Sequence, residues 1–126
     1  LAPGDNYRSG VEAVLPQYNN AETRDWLLSF LVGLGVPATA GQLRLGIEEV
    51  DKLLRVVADF VFSKALELTI NGETVEFVAG RSLRLLFSYR HTERTLTRSL
   101  AKHGFSIAAS QVDSCAEEGV FRAVQV

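Results

Sequence analysis

The chain has 126 residues, the length of one ordinary domain, and folding at this size buries roughly 65 to 70% of the unfolded surface. Hydrophobic residues make up 47% and charged residues 22% of the chain, a composition that excludes a disordered or fibrous protein. The formal charge of −2 argues against a domain that grips nucleic-acid backbones, and apolar runs of four residues or fewer exclude a bilayer span of ~20 residues. We therefore expect no nucleic-acid partner and no membrane association.

Cysteine and methionine usage adds two expectations. Cys115 is the only cysteine, which rules out an intramolecular disulfide and indicates a reducing compartment, the cytoplasm. The chain begins at Leu1 and contains no methionine, so we expect it to be an excised or processed part of a longer protein.

The first third of the chain predicts two helices. Apolar residues fall at helical spacing over Tyr7–Leu15, and Pro16 is expected to end this first helix. Asn20 can cap the second helix and Gly35 can end it. The apolar positions of the second helix recur every fourth residue and predict a buried stripe that consists of Trp26, Leu27, Phe30, Leu31 and Leu34.

Alternating apolar residues then predict four or five mostly antiparallel strands. The first covers residues 43–47, and the second covers residues 53–62 and is expected to be buried on both faces. Between them, Glu48, Glu49 and Asp51 are expected to form a solvated loop. Asn71-Gly72 predicts a tight hairpin, because both central residues of a type I′ turn need positive φ, and a further strand follows at Ser82–Tyr89.

The last third predicts one helix and a strand pair. Thr92 can cap a helix over residues 93–103, with Leu96 and Leu100 facing inward, and strands follow at 105–112 and 119–126. The predicted fold class is therefore α+β, with two N-terminal helices packed on a mostly antiparallel sheet, followed by a helix and a C-terminal strand pair. No phosphate-binding glycine loop, nucleophile elbow or metal-ligand spacing is present, so we assign no catalytic, cofactor-binding or metal-ligating residue.

Two features stand out in the final third. Residues 81–102 hold six basic side chains and one acidic side chain, and Arg90, Arg94, Arg98 and Lys102 recur every fourth residue, which on a helix makes one stripe. This stripe is either a solvated face or a seat for an anionic ligand or an acidic neighbouring domain. Polar side chains also occupy residues 88–92, where a strand ends and a helix starts. They either contact a ligand or only cap the helix and tie the loop.

Five segments of the chain, taken in order, resemble one protein family. They are LAPGD (1–5), VLPQYNNAETRDWLL (14–28), VEFVAG (75–80), LRLLFSYRHT (83–92) and EGVF (118–121). They are similar to the C-terminal half of the histidine-specific, S-adenosylmethionine-dependent methyltransferases, such as the enzyme that trimethylates histidine in ergothioneine synthesis. The resemblance covers nearly the whole chain, and the order of the segments is more specific than any one of them.

The resemblance implies that two segments of the chain have different roles. Residues 1–87 would form the inserted substrate-binding domain, and residues 88–126 would supply the closing helix and strand pair of a Rossmann-like methyltransferase domain. S-adenosylmethionine would be bound by motifs upstream of this chain, so the chain alone is expected to be inactive. Its expected partners are a missing N-terminal methyltransferase domain and a small amine or amino-acid substrate.

The resemblance also implies which side chains meet the acceptor. Ser88, Tyr89, Arg90 and His91 would face it from the closing segment, with Tyr18 and Asn19 as contacts from the other side. The family recognises the substrate imidazole with a glutamate followed two residues later by a serine; Ser88 matches that serine, but Leu86 replaces the glutamate. A leucine accepts no hydrogen bond, which leaves the acceptor open to other amines and amino acids.

The sequence is also compatible with a second function and with self-association. The alternative function is a free-standing, non-catalytic module that binds a ligand or a protein and has the same fold. The C-terminal strands would be exposed edges in the absence of a parallel sheet, so a homodimer through those edges is also expected.

Overall fold

The computed structural model describes residues 1–126 and has an α+β fold, as the sequence predicts. It contains three α-helices and seven β-strands, and a short 3₁₀ turn at Ala38–Ala40 precedes the first strand. None of the helices is long and apolar enough to cross a membrane. The elements, in chain order, are α1 (Tyr7–Tyr18), α2 (Ala21–Gly33), β1 (Gly41–Val50), β2 (Leu53–Phe62), β3 (Leu66–Ile70), β4 (Glu73–Phe77), β5 (Ser82–Arg90), α3 (Glu93–Ala101), β6 (Phe105–Val112) and β7 (Gly119–Gln125).

The strands form three sheets. The largest has the order β1-β2-β5, and β3-β4 and β6-β7 are separate two-stranded sheets. A two-residue turn, Asp51-Lys52, joins β1 to β2 and makes them antiparallel. The amide of Phe62, at the end of β2, donates to the carbonyl of Arg81, just before β5, so this pair is antiparallel as well.

The chain divides into two compact units. The first unit consists of residues 1–15, 47–55 and 88–126, and the second consists of residues 16–46 and 56–87. In this division, residues 1–15 and 47–55 group with the C-terminal segment 88–126.

In the second unit, α2 packs through one face only. Asn20 caps the helix as predicted, accepting a hydrogen bond from the Thr23 amide at 2.9 Å, and Leu27 and Leu31 are buried. The wider stripe predicted from the sequence is wrong, since Trp26 and Phe30 are 64% and 62% exposed. Each of these aromatic residues precedes a buried leucine by one position, which turns its side chain about 100° around the helix and away from the core.

The core of the second unit is aromatic. The rings of Phe60 and Phe62 meet edge to face at 5.2 Å, and Phe62 stacks on Phe77 with 4.5 Å between ring centroids. Both phenylalanines of β2 are fully buried with Val56 and Ala58, which confirms one apolar face of this strand. The opposite face also carries Arg55 and Asp59, which are only half-buried, so the expectation of burial on both faces holds in part.

The predicted hairpin is present in the second unit. Asn71 and Gly72 have φ of 51° and 81°, the positive values that a type I′ turn needs, and Ile70 pairs with Glu73 across it. This hairpin forms its own two-stranded sheet.

The helix α1 is longer than the sequence predicts. It runs through Pro16 to Tyr18, because a proline in the last turn of a helix removes one hydrogen bond while its fixed φ still suits the helix. Gly10 packs so closely on Pro3 that a Cβ at this position would collide with the Pro3 carbonyl oxygen. The N-terminal turn is therefore held firmly against α1.

The C-terminal part of the first unit is thinly packed. Thr92 and Thr95 form a capping box at the start of α3, with each side chain accepting a hydrogen bond from the backbone amide of the other. Thr95 is the only buried residue of α3, whereas the predicted inward residues Leu96 and Leu100 are half-buried. No residue of β6 or β7 is buried.

Two sequence-based placements need correction. Glu48 and Glu49 lie in β1 and not in a loop, because β1 continues for three residues beyond the apolar alternation, to Val50. Arg90 is the last residue of β5, so the helical stripe of basic residues begins at Arg94.

Candidate functional site

The candidate site lies in the first unit, on three adjacent strands. Because β1, β2 and β5 are neighbours and run antiparallel, the end of β1, the start of β2 and the end of β5 share one region of the sheet. Glu48, Arg55 and Tyr89 come from these three strands in that order. We call them, together with His91, the polar cluster.

Arg55 is the centre of the polar cluster. Its Nε donates to Glu48 Oε1 at 2.7 Å and its Nη2 also contacts that oxygen, while its Nη1 donates to the Tyr89 hydroxyl at 3.1 Å. The guanidinium carbon lies 5.3 Å from the centroid of the Tyr89 ring. The Arg55 and Glu48 side chains are 18% and 33% exposed, so this ion pair is weakly screened by solvent and fixes the position of the phenol.

His91 extends the polar cluster toward α3. Its ring centroid lies 6.4 Å from that of Tyr89, and its Nδ1 is 3.4 Å from the Thr95 hydroxyl oxygen. Burial lowers the pKa of His91 from its ordinary value of 6.5, because it disfavours the charged imidazolium. The imidazole is therefore neutral at pH 7 and can both donate and accept a hydrogen bond.

The polar residues at the end of β5 divide between two faces. Tyr89 and His91 are two residues apart and lie close together, as expected for one side of an extended chain. Ser88 and Arg90 occupy the alternate positions and are half-buried. A small ligand on one face would thus contact one of these pairs and not all four residues.

Tyr18 and Asn19 belong to the second unit, whereas residues 88–91 belong to the first. Asn19 Oδ1 accepts a hydrogen bond from Arg24 Nη1 at 3.1 Å, and Arg24 Nη2 donates to the Leu43 carbonyl at 2.9 Å. Asn19 therefore takes part in a contact that ties α2 to β1 within the second unit.

A hollow of about 330 Å³ lies beside the start of α3. Thr92, Glu93 and Arg94 line it, but none of the six side chains predicted to contact the acceptor does. The polar cluster, whose residues are half-buried, is thus separate from this hollow.

The resemblance assigns S-adenosylmethionine to motifs upstream of this chain, and the strand-to-helix connection within the chain does not fit the cofactor. A cofactor site needs a glycine-containing connection where a strand runs into a helix. The one direct strand-to-helix connection here, from β5 to α3, consists of His91 and Thr92. The glycines with positive φ lie elsewhere, at Gly4, Gly35, Gly72, Gly80 and Gly104.

Arg55 and Glu48 were not predicted from the sequence as site residues. A signal for Arg55 was available, since it is one of two charged residues, with Asp59, inside the otherwise apolar run of β2. A charged residue inside a half-buried strand needs a partner. The second charge confirms the pattern, because Asp59 accepts hydrogen bonds from Arg84 of β5.

Fold and site together define an α+β protein that carries an arginine-centred polar cluster where three strands meet. Comparison with protein-family models finds no family that matches the chain, and a search of curated proteins finds no relative.

Proposed function

We propose that the chain is the acceptor-binding part of an S-adenosylmethionine-dependent N-methyltransferase of the histidine-specific type. The observation that carries the proposal is the polar cluster itself. Tyr89 and His91 lie in the segment 83–92, one of the longest segments of the family resemblance, and Arg55 and Glu48 are gathered around them. Cofactor binding is assigned to an N-terminal methyltransferase domain, because residues 1–126 do not fit the cofactor.

The chemistry of the polar cluster suits an amine or amino-acid acceptor. Glu48 is a carboxylate, the type of group that pairs with a substrate ammonium group, and Arg55 holds it in place. Tyr89 offers a hydroxyl that Arg55 holds in place. An amine must lose its proton before it attacks a methyl group, and the neutral imidazole of His91 can take that proton.

Orientation is the main contribution expected of these residues. Holding the reacting nitrogen in line with a methyl donor turns an encounter between two molecules into a step within one complex. The carboxylate of Glu48, which Arg55 links to Tyr89, also supplies an acidic group in a chain where Leu86 replaces the family glutamate. We therefore propose a small amine or amino acid as acceptor, without restricting it to histidine, and the reducing cytoplasm as its compartment, in keeping with the free thiol of Cys115.

The test uses the full-length reading frame that contains this chain. Methyl transfer from S-adenosylmethionine is measured over a panel of amino acids and small amines. Tyr89→Phe should lower kcat/KM for the acceptor by about 5- to 150-fold, the equivalent of losing one hydrogen bond of ~1–3 kcal/mol, whereas Ser88→Ala, on the opposite face of β5, should change it by less than about 2-fold. The affinity for S-adenosylmethionine should stay unchanged in both variants.

Ser110→Ala is the matched control, because Ser110 is an exposed serine of β6 outside the polar cluster and should leave kcat/KM unchanged. Loss of activity in Tyr89→Phe alone would locate the acceptor on the face shared with His91. Absence of methyl transfer to every amine, or a selective loss of cofactor binding in either variant, would contradict the proposed function.

A second candidate is the free-standing binding module, and the exposed face of α2 favours it. Trp26 and Phe30 lie one turn apart and are largely exposed, and large exposed aromatic residues are typical of interaction surfaces. The gene distinguishes the two candidates. An upstream reading frame with a strand, a glycine loop and an acidic residue, continuous with Leu1, supports the methyltransferase, whereas a native start immediately before Leu1 supports the module.

A further inference from the structure

A second polar surface of the first unit lies where the β1–β2 turn faces the end of α3. A depression of about 410 Å³ is lined by Asp51 and Lys52 of the turn and by Arg98 and Lys102 of the helix end. A smaller depression of about 160 Å³ shares three of these residues and adds Leu53, Ser99 and His103. We call the two together the basic depression.

The basic depression concentrates positive charge. Lys52, Arg98 and Lys102 are exposed, and none of them forms a salt bridge, whereas arginines elsewhere in the chain pair with Glu48, Glu49 and Asp59. Asp51 is the one acidic residue of the lining. Three cations around one carboxylate leave an excess of two positive charges, and their mutual repulsion is relieved when an anion binds between them.

The helix dipole explains only part of this arrangement. Cations are favoured near the C-terminus of a helix, which accounts for Arg98 and Lys102. Lys52 comes from a different element, a turn in which both residues are non-glycine and have positive φ, 52° for Asp51 and 64° for Lys52. This turn places the exposed side chain of Lys52 close to two further cations, Arg98 and Lys102.

The donors of the basic depression match a phosphate group. Arg98 can bind two phosphate oxygens through its planar guanidinium, and Lys52 and Lys102 supply compact positive charges. Ser99 adds a hydroxyl donor and His103 adds an imidazole. Asp51 accepts hydrogen bonds, so a ligand with a hydroxyl or amino group beside its phosphate fits better than a bare ion, and a volume of 410 Å³ is within the range of small-molecule sites.

We propose that the basic depression binds the phosphate group of a small phosphorylated metabolite that also carries a hydroxyl or amino donor. The proposal is independent of the methyltransferase assignment, because it rests on residues outside the polar cluster. The probes are ribose 5-phosphate and inorganic pyrophosphate, titrated calorimetrically into the 126-residue chain at constant ionic strength in chloride. We expect saturable binding of one equivalent of each probe.

Variants locate the site. Arg98→Gln and Lys52→Gln should each weaken binding by about 10-fold, the loss of one charge-assisted contact. Arg94→Gln is the matched control, since Arg94 is exposed on the same helix and carries the same charge but lines neither depression, and it should change the affinity by less than about 2-fold. Circular dichroism of each variant confirms that it is folded.

Three results would overturn the proposal. One is the absence of saturable binding of both probes, and another is an equal loss in all three variants, which would reflect net charge alone. The third is binding of an acidic polypeptide such as poly-glutamate that neither phosphate probe displaces, since the surface would then be a seat for an acidic protein segment.

Discussion

At the scale of single residues, Arg55 connects side chains of three strands in the first unit. It joins β1 to β5 by pairing with Glu48 and donating to Tyr89. Without Arg55, the half-buried carboxylate of Glu48 would keep its desolvation cost and lose the attraction that offsets it, which lowers the stability of the folded state. The surface pair of Arg8 and Glu49 provides the contrast, because both side chains are 55% exposed and 3.8 Å apart.

We therefore expect Arg55→Met to lower the free energy of unfolding by about 1–3 kcal/mol, measured by urea denaturation. Arg8→Met removes the same charge from an exposed pair and should cost less than about 1 kcal/mol. Equal costs for the two variants would show that the Arg55–Glu48 pair is screened like a surface pair.

At the scale of elements, α2 has more apolar residues than its buried face can hold. Leu27 and Leu31 face the core, while Trp26 and Phe30 lie in water. Leu27 packs on Leu43 and Ala58, from β1 and β2, which fixes the rotation of the helix.

This rotation predicts opposite mutational effects on the two faces of α2. Leu31→Ala should destabilise the chain by about 2–5 kcal/mol, since it leaves a cavity beside Phe60 and Phe62. Trp26→Ala should change the stability by no more than about 0.5 kcal/mol, because the indole is mostly exposed. Thermal or urea unfolding measures both, and a large cost for Trp26→Ala would mean that this face of α2 is covered.

At the scale of the whole molecule, the C-terminal hairpin is the part with the least packing. β6 and β7 pair only with each other, so each strand has one free edge, and Val120 is 76% exposed. An isolated two-stranded sheet is marginal in water, and free edges pair with other strands.

We accordingly expect the chain to form a homodimer through these edges as its concentration rises. Sedimentation velocity over a concentration series measures this association. Val120→Lys should weaken it, because a charged edge opposes pairing, whereas Val75→Lys on the exposed hairpin of the second unit should leave it unchanged. A monomer at every concentration, with β6 and β7 protected from hydrogen exchange, would contradict the expectation.

Part of the candidate site could be predicted from the sequence and part could not. The run from Ser88 to His91 stands out because four polar residues interrupt an apolar strand just before a helix cap. The charge of Arg55 inside β2 indicates that it needs a partner, but the sequence does not identify Glu48 and Tyr89 as its partners, since the three residues meet only through the sheet order β1-β2-β5. The sequence shows which residues are neighbours along the chain, but it does not show which residues are neighbours across a sheet.

The sequence by itself determined the features that depend on local backbone chemistry. Asn71-Gly72 is a type I′ turn because these residues tolerate positive φ, and Asn20 and Thr92 cap helices because their side chains satisfy free amides. Only the tertiary structure decided which face of α2 is buried, where β1 ends, and which residues surround Arg55. These features depend on contacts between elements distant in the chain, and their free energies outweigh the weak local preferences of the residues involved.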